Sequence, residues 1–189
     1  MNLSKLRTNT PEFNFIEFFT GHLKASGWVT DRFGNVRRHF HGDFIGTLKD
    51  DTLELDETLY YSDGVEEHRV WHVNISENGA FTAESPALIN GAKGLQKGNT
   101  LEMYYTMRVD LANGKQWTLD MDDYMFLQPD GSLHNFANVK RWGIRIASVS
   151  TQYQRVVDSS LNESFGGKEV QSIRQNSQHL QAVGKALGK

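Results

Sequence analysis

The chain has 189 residues, a formal net charge of −3 and no cysteine. That length suits one domain with a substantial core. The missing thiols exclude disulfides, thiolate metal sites and thiol catalysis. Hydrophobic residues make up 38% and aromatic residues 11% of the chain, a globular rather than a disordered composition. The basic residues are scattered and argue against nucleic acid as a partner. No stretch has the length and apolarity of a membrane span. The opening MNLSKLRTNTPEF lacks the apolar run of a secretory signal or lipobox. The expected location is therefore cytoplasmic, or periplasmic if the chain is a trimmed mature form.

Residues 1–21 read as a loose arm leading into a short helix. Thr10 suits an N-cap, Pro11 the first helical position and Glu12 the first turn. About two turns are expected, ending at Gly21. Phe13, Ile16 and Phe19 form a stripe with Phe15 and Phe18 beside it. So greasy a helix is expected to lie on, or plug, an apolar opening.

From His22 to Arg155 the pattern is one of short alternating runs separated by Gly, Asn and Asp turns. Ten runs can be read: His22–Thr30, Val36–Leu48, Thr52–Tyr61, Val65–Ser76, Ala80–Ser85, Leu88–Leu95, Thr100–Leu111, Lys115–Leu127, Ser132–Lys140 and Gly143–Tyr153. Successive tight hairpins predict an antiparallel meander, and one this long closes to remove its edges. The fold class is thus all-β, an up-and-down barrel over residues 22–155. A sandwich is the runner-up, but Greek-key crossovers need longer links. Gly42 and Gly46 fall on the apolar face of the second run, where coiled strands need room.

Two hairpins can be put in register. In Leu101–Leu111 and Lys115–Leu127, a three-residue loop with Gly114 left-handed pairs Val109 with Trp117, Met107 with Leu119, Tyr105 with Met121 and Met103 with Asp123. A two-residue turn would mix the faces. Likewise, the Ser62-Asp63-Gly64 loop pairs Leu53 with Val73, Leu55 with Trp71 and Glu57 with Arg69. The Asp50-Asp51 turn then sets Phe44 opposite Glu57, Gly42 opposite Leu59 and Phe40 opposite Tyr61. Glu57, Arg69 and Asp123 thereby project from apolar faces.

Beyond the barrel, Asn162–Gly167 breaks the strand pattern. Lys168–Leu187 carries Val170, Ile173, Leu180, Val183 and Leu187, compatible with a weakly amphipathic helix. Residues 156–189 therefore read as a linker and a C-terminal helical tail, which docks on the barrel or forms a homodimer with a second copy.

Several stretches together resemble an uncharacterised bacterial family, domain-of-unknown-function family 3833, whose barrel is lipocalin-like (calycin). They are Phe18-Phe19-Thr20-Gly21 with Ala25 and Gly27, then Asp31-Arg32 and Gly34, then Leu55, Glu57, Tyr61, Asp63-Gly64, Arg69 and Trp71. Gly91-Ala92-Lys93-Gly94, Gly98-Asn99, Trp117, Leu119, Asp122-Asp123, Asn135, Lys140 and Gly143 continue the series. Order and spacing carry the likeness, over about residues 13–155. Phe136 departs from it, standing where a basic residue is expected. The resemblance implies the barrel and hints at lipid-like ligands, without an established reaction.

An isolated buried charge is very costly, so inward-facing ionisable groups pair or shift their pKa values. In a structural reading, Glu57 and Arg69 form an ion pair and Asp123 is hydrogen-bonded locally. In a binding reading, Arg69 anchors a ligand carboxylate or phosphate between apolar walls. The candidate lining is Phe40, Phe44, Leu55, Tyr61, Arg69, Trp71, Met103, Tyr105, Trp117, Leu119 and Met121. In a catalytic reading, Glu57, Arg69 and Asp123 supply acid/base chemistry. His39, His41, His68 and His72 fall on the opposite, solvated face, so no metal site is expected, and no cofactor motif is present. The leading function is binding of a small apolar or amphipathic molecule, fatty-acyl or isoprenoid in character. An enzyme acting on such a molecule comes second, and a scaffold barrel acting through its tail third. A wide cavity would favour the first two; a filled interior would favour the last.

Overall fold

In a computed structural model of the chain, residues 9–110 and 114–156 are described. They form one short helix, α1 (Phe15–Phe19), and ten strands. The strands are β1 (Gly21–Asp31), β2 (Val36–Lys49), β3 (Thr52–Tyr61), β4 (Glu66–Ile75), β5 (Ala80–Glu84), β6 (Leu88–Lys97), β7 (Thr100–Asp110), β8 (Gln116–Leu127), β9 (Leu133–Arg141) and β10 (Ile144–Arg155). Each pairs antiparallel with its sequence neighbours, and β1 pairs with β10 to close the barrel. This is the up-and-down barrel that the alternation predicts. The expected tail helix at Lys168–Leu187, the homodimer through it, and the arm before residue 9 lie outside the described residues.

The hairpin registers are those set by turn length and apolar pattern. Val109 faces Trp117 and Met103 faces Asp123, with Gly114 at φ 75°. Leu55 faces Trp71, Glu57 faces Arg69, and Phe44 faces Glu57. A slip of one residue anywhere would turn the apolar set outward.

The helix departs from its expected start. Its N-cap is Asn14, whose side chain accepts from the Glu17 N–H, and not Thr10. The local Thr-Pro-Glu signal loses to tertiary hydrogen bonds. Phe13 N donates to Gly98 O, and Phe15 N donates to the Gln96 side-chain oxygen at 2.7 Å, fixing this segment across the β6–β7 turn. Instead of two turns, α1 makes a single turn that plugs one end of the barrel. Phe13, Phe15, Phe18 and Phe19 are all buried there. Phe15 meets Phe81 edge-on, and Phe19 meets Tyr153 in the same way. Gly46 makes the seat, because a Cβ there would stand 1.8 Å from Phe19 O.

At the plugged end lie the β2–β3, β4–β5, β6–β7 and β8–β9 links. The other end is rimmed by the β1–β2, β3–β4, β5–β6, β7–β8 and β9–β10 links, and no described element crosses it. One seam is short. β4 pairs with β5 only through His72–Ile75, so Glu66–Trp71 have ladder partners on β3 alone. Among the described residues no helix is long and apolar enough to cross a membrane.

Candidate functional site

Inside the barrel is a cavity of about 350 Å³. Its lining runs from Phe15 and Phe19 of the plug to Arg38, Val109 and Ile146 near the open end. All eleven residues expected to line a ligand site contribute to it: Phe40, Phe44, Leu55, Tyr61, Arg69, Trp71, Met103, Tyr105, Trp117, Leu119 and Met121. Strand alternation puts them there, since each has the parity that points inward. Glu57 and Asp123 line the same space, so the structure brings together all three ionisable residues singled out from the sequence.

The polar groups form two clusters. In the first, Arg69 lies between two carboxylates. Its Nη1 donates to Glu57 Oε1 at 3.0 Å, and its Nη2 donates to Glu67 Oε2. Trp71 Nε1 donates to the other Glu57 oxygen at 3.0 Å. The Tyr61 hydroxyl donates to Glu67 at 3.3 Å, and Arg38 stacks 3.7 Å over the Tyr61 ring while pairing with Asp63 at 2.8 Å. Burial pushes the Glu57 carboxyl up from its usual range, against the pull of Arg69 and Trp71. Burial also works against the charge on Arg69, but Glu57 and Glu67 outweigh it and hold the guanidinium protonated. Burial beside Glu67 pushes the Tyr61 phenol up to about 12.

The second cluster centres on Asp123, which is 6% exposed. The Tyr105 hydroxyl donates to Oδ2 at 3.1 Å, and the Asn135 amide donates to Oδ1. Asn135 also reaches Tyr124 O at 3.3 Å, so a backbone carbonyl fixes the amide's direction. Burial raises the Asp123 pKa to about 7, although both side-chain donors pull it down. The Tyr105 phenol is pushed well above its ordinary value by burial, with Asp123 adding to the effect. The two clusters touch where Trp71 meets Tyr105 edge-on, ring centroids 5.6 Å apart. A polar belt thus crosses an otherwise apolar chamber.

Three members of the belt are absent from the site expected from the sequence: Arg38, Glu67 and Asn135. The signal exists for each. Arg38 shares the parity of Phe40, Glu67 that of Arg69, and Asn135 that of Leu133 and Ala137. On the outer face, His68 pairs with Asp56 at 2.9 Å and His72 lies 3.6 Å from Glu54. Among the described residues no three such side chains converge as metal ligands.

Residues 1–155 match the family model described as protein of unknown function (DUF3833). No curated protein matches the chain at a significant level. Among solved structures, the barrel is similar to the S-type phycobiliprotein lyase CPES from Guillardia theta, with a TM-score of 0.53 and 8% identity over 77% of this chain and 91% of that one. At that identity the likeness is one of fold.

Proposed function

The chain belongs to the DUF3833 family of proteins of unknown function, and from that premise we propose that its barrel binds a small apolar or amphipathic molecule. The observation that carries the reading is the cavity itself. At about 350 Å³ it lies within the range of small-molecule sites, and it combines aromatic and Met walls with a few convergent polar groups. A barrel serving only as a scaffold has no need of such a space, because packing it would add stability.

The ligand's apolar part occupies the space between Phe44, Trp71 and Trp117. Its polar group meets the belt. Arg69 is already held by Glu57 and Glu67, so its role in this reading is to neutralise two buried carboxylates rather than to grip an anionic head. Asp123 and Tyr105 are the better partners for a ligand hydroxyl, carbonyl or amide, because a protonated Asp123 both donates and accepts.

Native mass spectrometry of the purified protein tests the proposal, with co-purified lipid-like mass as the expected result. Displacement of cis-parinaric acid gives the second measurement. Phe44→Trp, which fills the space, should abolish binding while the barrel stays folded. Undiminished binding by that variant would remove the cavity as the site.

A second reading uses the same geometry. An acid with a pKa of about 7, 3.1 Å from a phenol, is suited to giving and taking a proton near neutrality. Asp123→Asn separates the two readings: a binding protein keeps its ligand, whereas an acid/base enzyme keeps its ligand and loses turnover.

A further inference from the structure

The rim of the open end is uneven. Two of its hairpins, β1–β2 and β9–β10, are neighbours because β1 pairs with β10. They carry large apolar side chains out into water: Phe33 is 75% exposed, Trp142 82%, Val36 61% and Ile144 60%. Trp142 is the telling residue. It lies at φ 53°, with Gly143 after it at φ 76°, in a two-residue turn that needs two left-handed positions. Asn, Asp and Gly suit such a turn, and a bulky side chain there is strained. The fold gains no burial in return, since the indole stands in solvent.

The charge on the same two hairpins runs against that of the chain. Residues 31–38 and 141–145 hold Arg32, Arg37, Arg38, Arg141 and Arg145 against Asp31, a formal +4 (five minus one) in a chain of net −3, although Arg37 is paired with Asp31 and Arg38 with Asp63 of the next hairpin. The cations are presented together with rings. Arg32 lies 4.6 Å over Phe33, and Arg141 lies 4.1 Å over Trp142 and 3.8 Å over Trp117. Arginine and tryptophan each have an apolar body and a polar or charged part that prefers the water boundary.

We propose that this half of the rim docks on an anionic lipid bilayer, with Phe33 and Trp142 entering the headgroup layer and Arg32 and Arg141 meeting its phosphates. A bilayer is favoured over a protein partner because the apolar rings stand singly on two separate hairpin tips, each beside an arginine, rather than forming one continuous face. Charge complementarity selects anionic lipid. The docked barrel presents its open end to the membrane. The inference rests on the rim alone and holds whatever the cavity carries, so absence of co-purified lipid would overturn ligand binding in the barrel and leave membrane docking intact.

The test is sedimentation of the full chain with phosphatidylcholine vesicles, with and without phosphatidylglycerol. The expected result is binding to the phosphatidylglycerol vesicles that weakens as salt is raised. Phe33→Ser combined with Trp142→Asn should weaken it by roughly tenfold or more, with the unfolding midpoint retained, because both sites are exposed and Asn suits the turn. Arg32→Gln with Arg141→Gln should remove the preference for phosphatidylglycerol, and this pair carries the test if the first variant misfolds. Wild-type protein that stays in the supernatant with anionic vesicles would overturn the proposal, and so would unchanged binding by both variants. Light scattering that shows a dimer split by Trp142→Asn would also overturn it, assigning the patch to a second copy.

Discussion

The two ends of this barrel are built on opposite principles. At the plugged end the four phenylalanines of the plug are buried: Phe19 is 1% exposed and is stacked on Phe15 at 4.3 Å, and the backbone of residues 13–15 is bonded across the β6–β7 turn. At the other end aromatic side chains stand in water, and one of them occupies a backbone conformation it disfavours. Between the ends, the half nearer the opening carries the Glu57–Arg69–Glu67 cluster. A bulky side chain in a strained backbone conformation without compensating burial thus falls at the open end, away from the packed plug.

Removing the plug's central ring should give the largest effect. Phe19→Ala should cost about 3–5 kcal/mol in urea unfolding. A loss under about 1 kcal/mol would show that the plug is not part of the core and would erase the contrast. Gly46→Ala attacks the same contact from the barrel side and should cost about 1–3 kcal/mol, because the new Cβ meets backbone rather than a movable side chain.

Arg69→Met comes next. It leaves the buried Glu57 without its cation and should cost about 3 kcal/mol near neutral pH. Glu57→Gln added to Arg69→Met should recover much of that loss. Failure of the double replacement to recover stability would mean that Arg69 contributes chiefly through packing or through Glu67.

A smaller effect, read in pH rather than in a single number, belongs to Asp123. Its pKa is about 7 in the folded protein against 3.8 for the free group. Between about pH 4 and pH 7 the folded state therefore holds the proton more tightly, so stability falls as pH rises through this window and levels off above it. Asp123→Asn should flatten the slope, leaving the part due to Glu57, which is shifted the same way. An unchanged slope would show that Asp123 is ionised throughout. The smallest effect is expected at the open tip. Trp142→Asn should shift stability by less than about 1 kcal/mol, in the stabilising direction, by relieving the left-handed tryptophan.

The registers are legible in the sequence because tight turns and a period of two leave few choices. Once Ser62-Asp63-Gly64 is a turn, Glu57 must face Arg69. Arg38 and Glu67 escape because a search for apolar alternation discounts a charge at the end of a run, although parity alone places both inside. The start of α1 is misread because a local capping signal at Thr10 cannot register hydrogen bonds to Gly98 and Gln96, more than eighty residues away. Tyr124 shares the outward parity of Asp120 and Asp122 and yet is 1% exposed, which no pattern within its own strand foretells. The cavity is anticipated only as a condition, since its volume depends on how side chains from ten strands meet.

The short β4–β5 seam gives the barrel a place to breathe. The β5–β6 ladder is equally short, whereas the remaining neighbouring pairs are laced over most of their length, and from Glu66 to Trp71 strand β4 is tied to β3 alone. Half of the amides in that stretch point toward a side with no ladder partner, so they should exchange with deuterium ahead of those in β7 and β8, whose ladder runs unbroken from Thr100–Phe126 to Asp110–Gln116. The notch lies beside Glu67 and Arg69 and runs from the open rim down the wall.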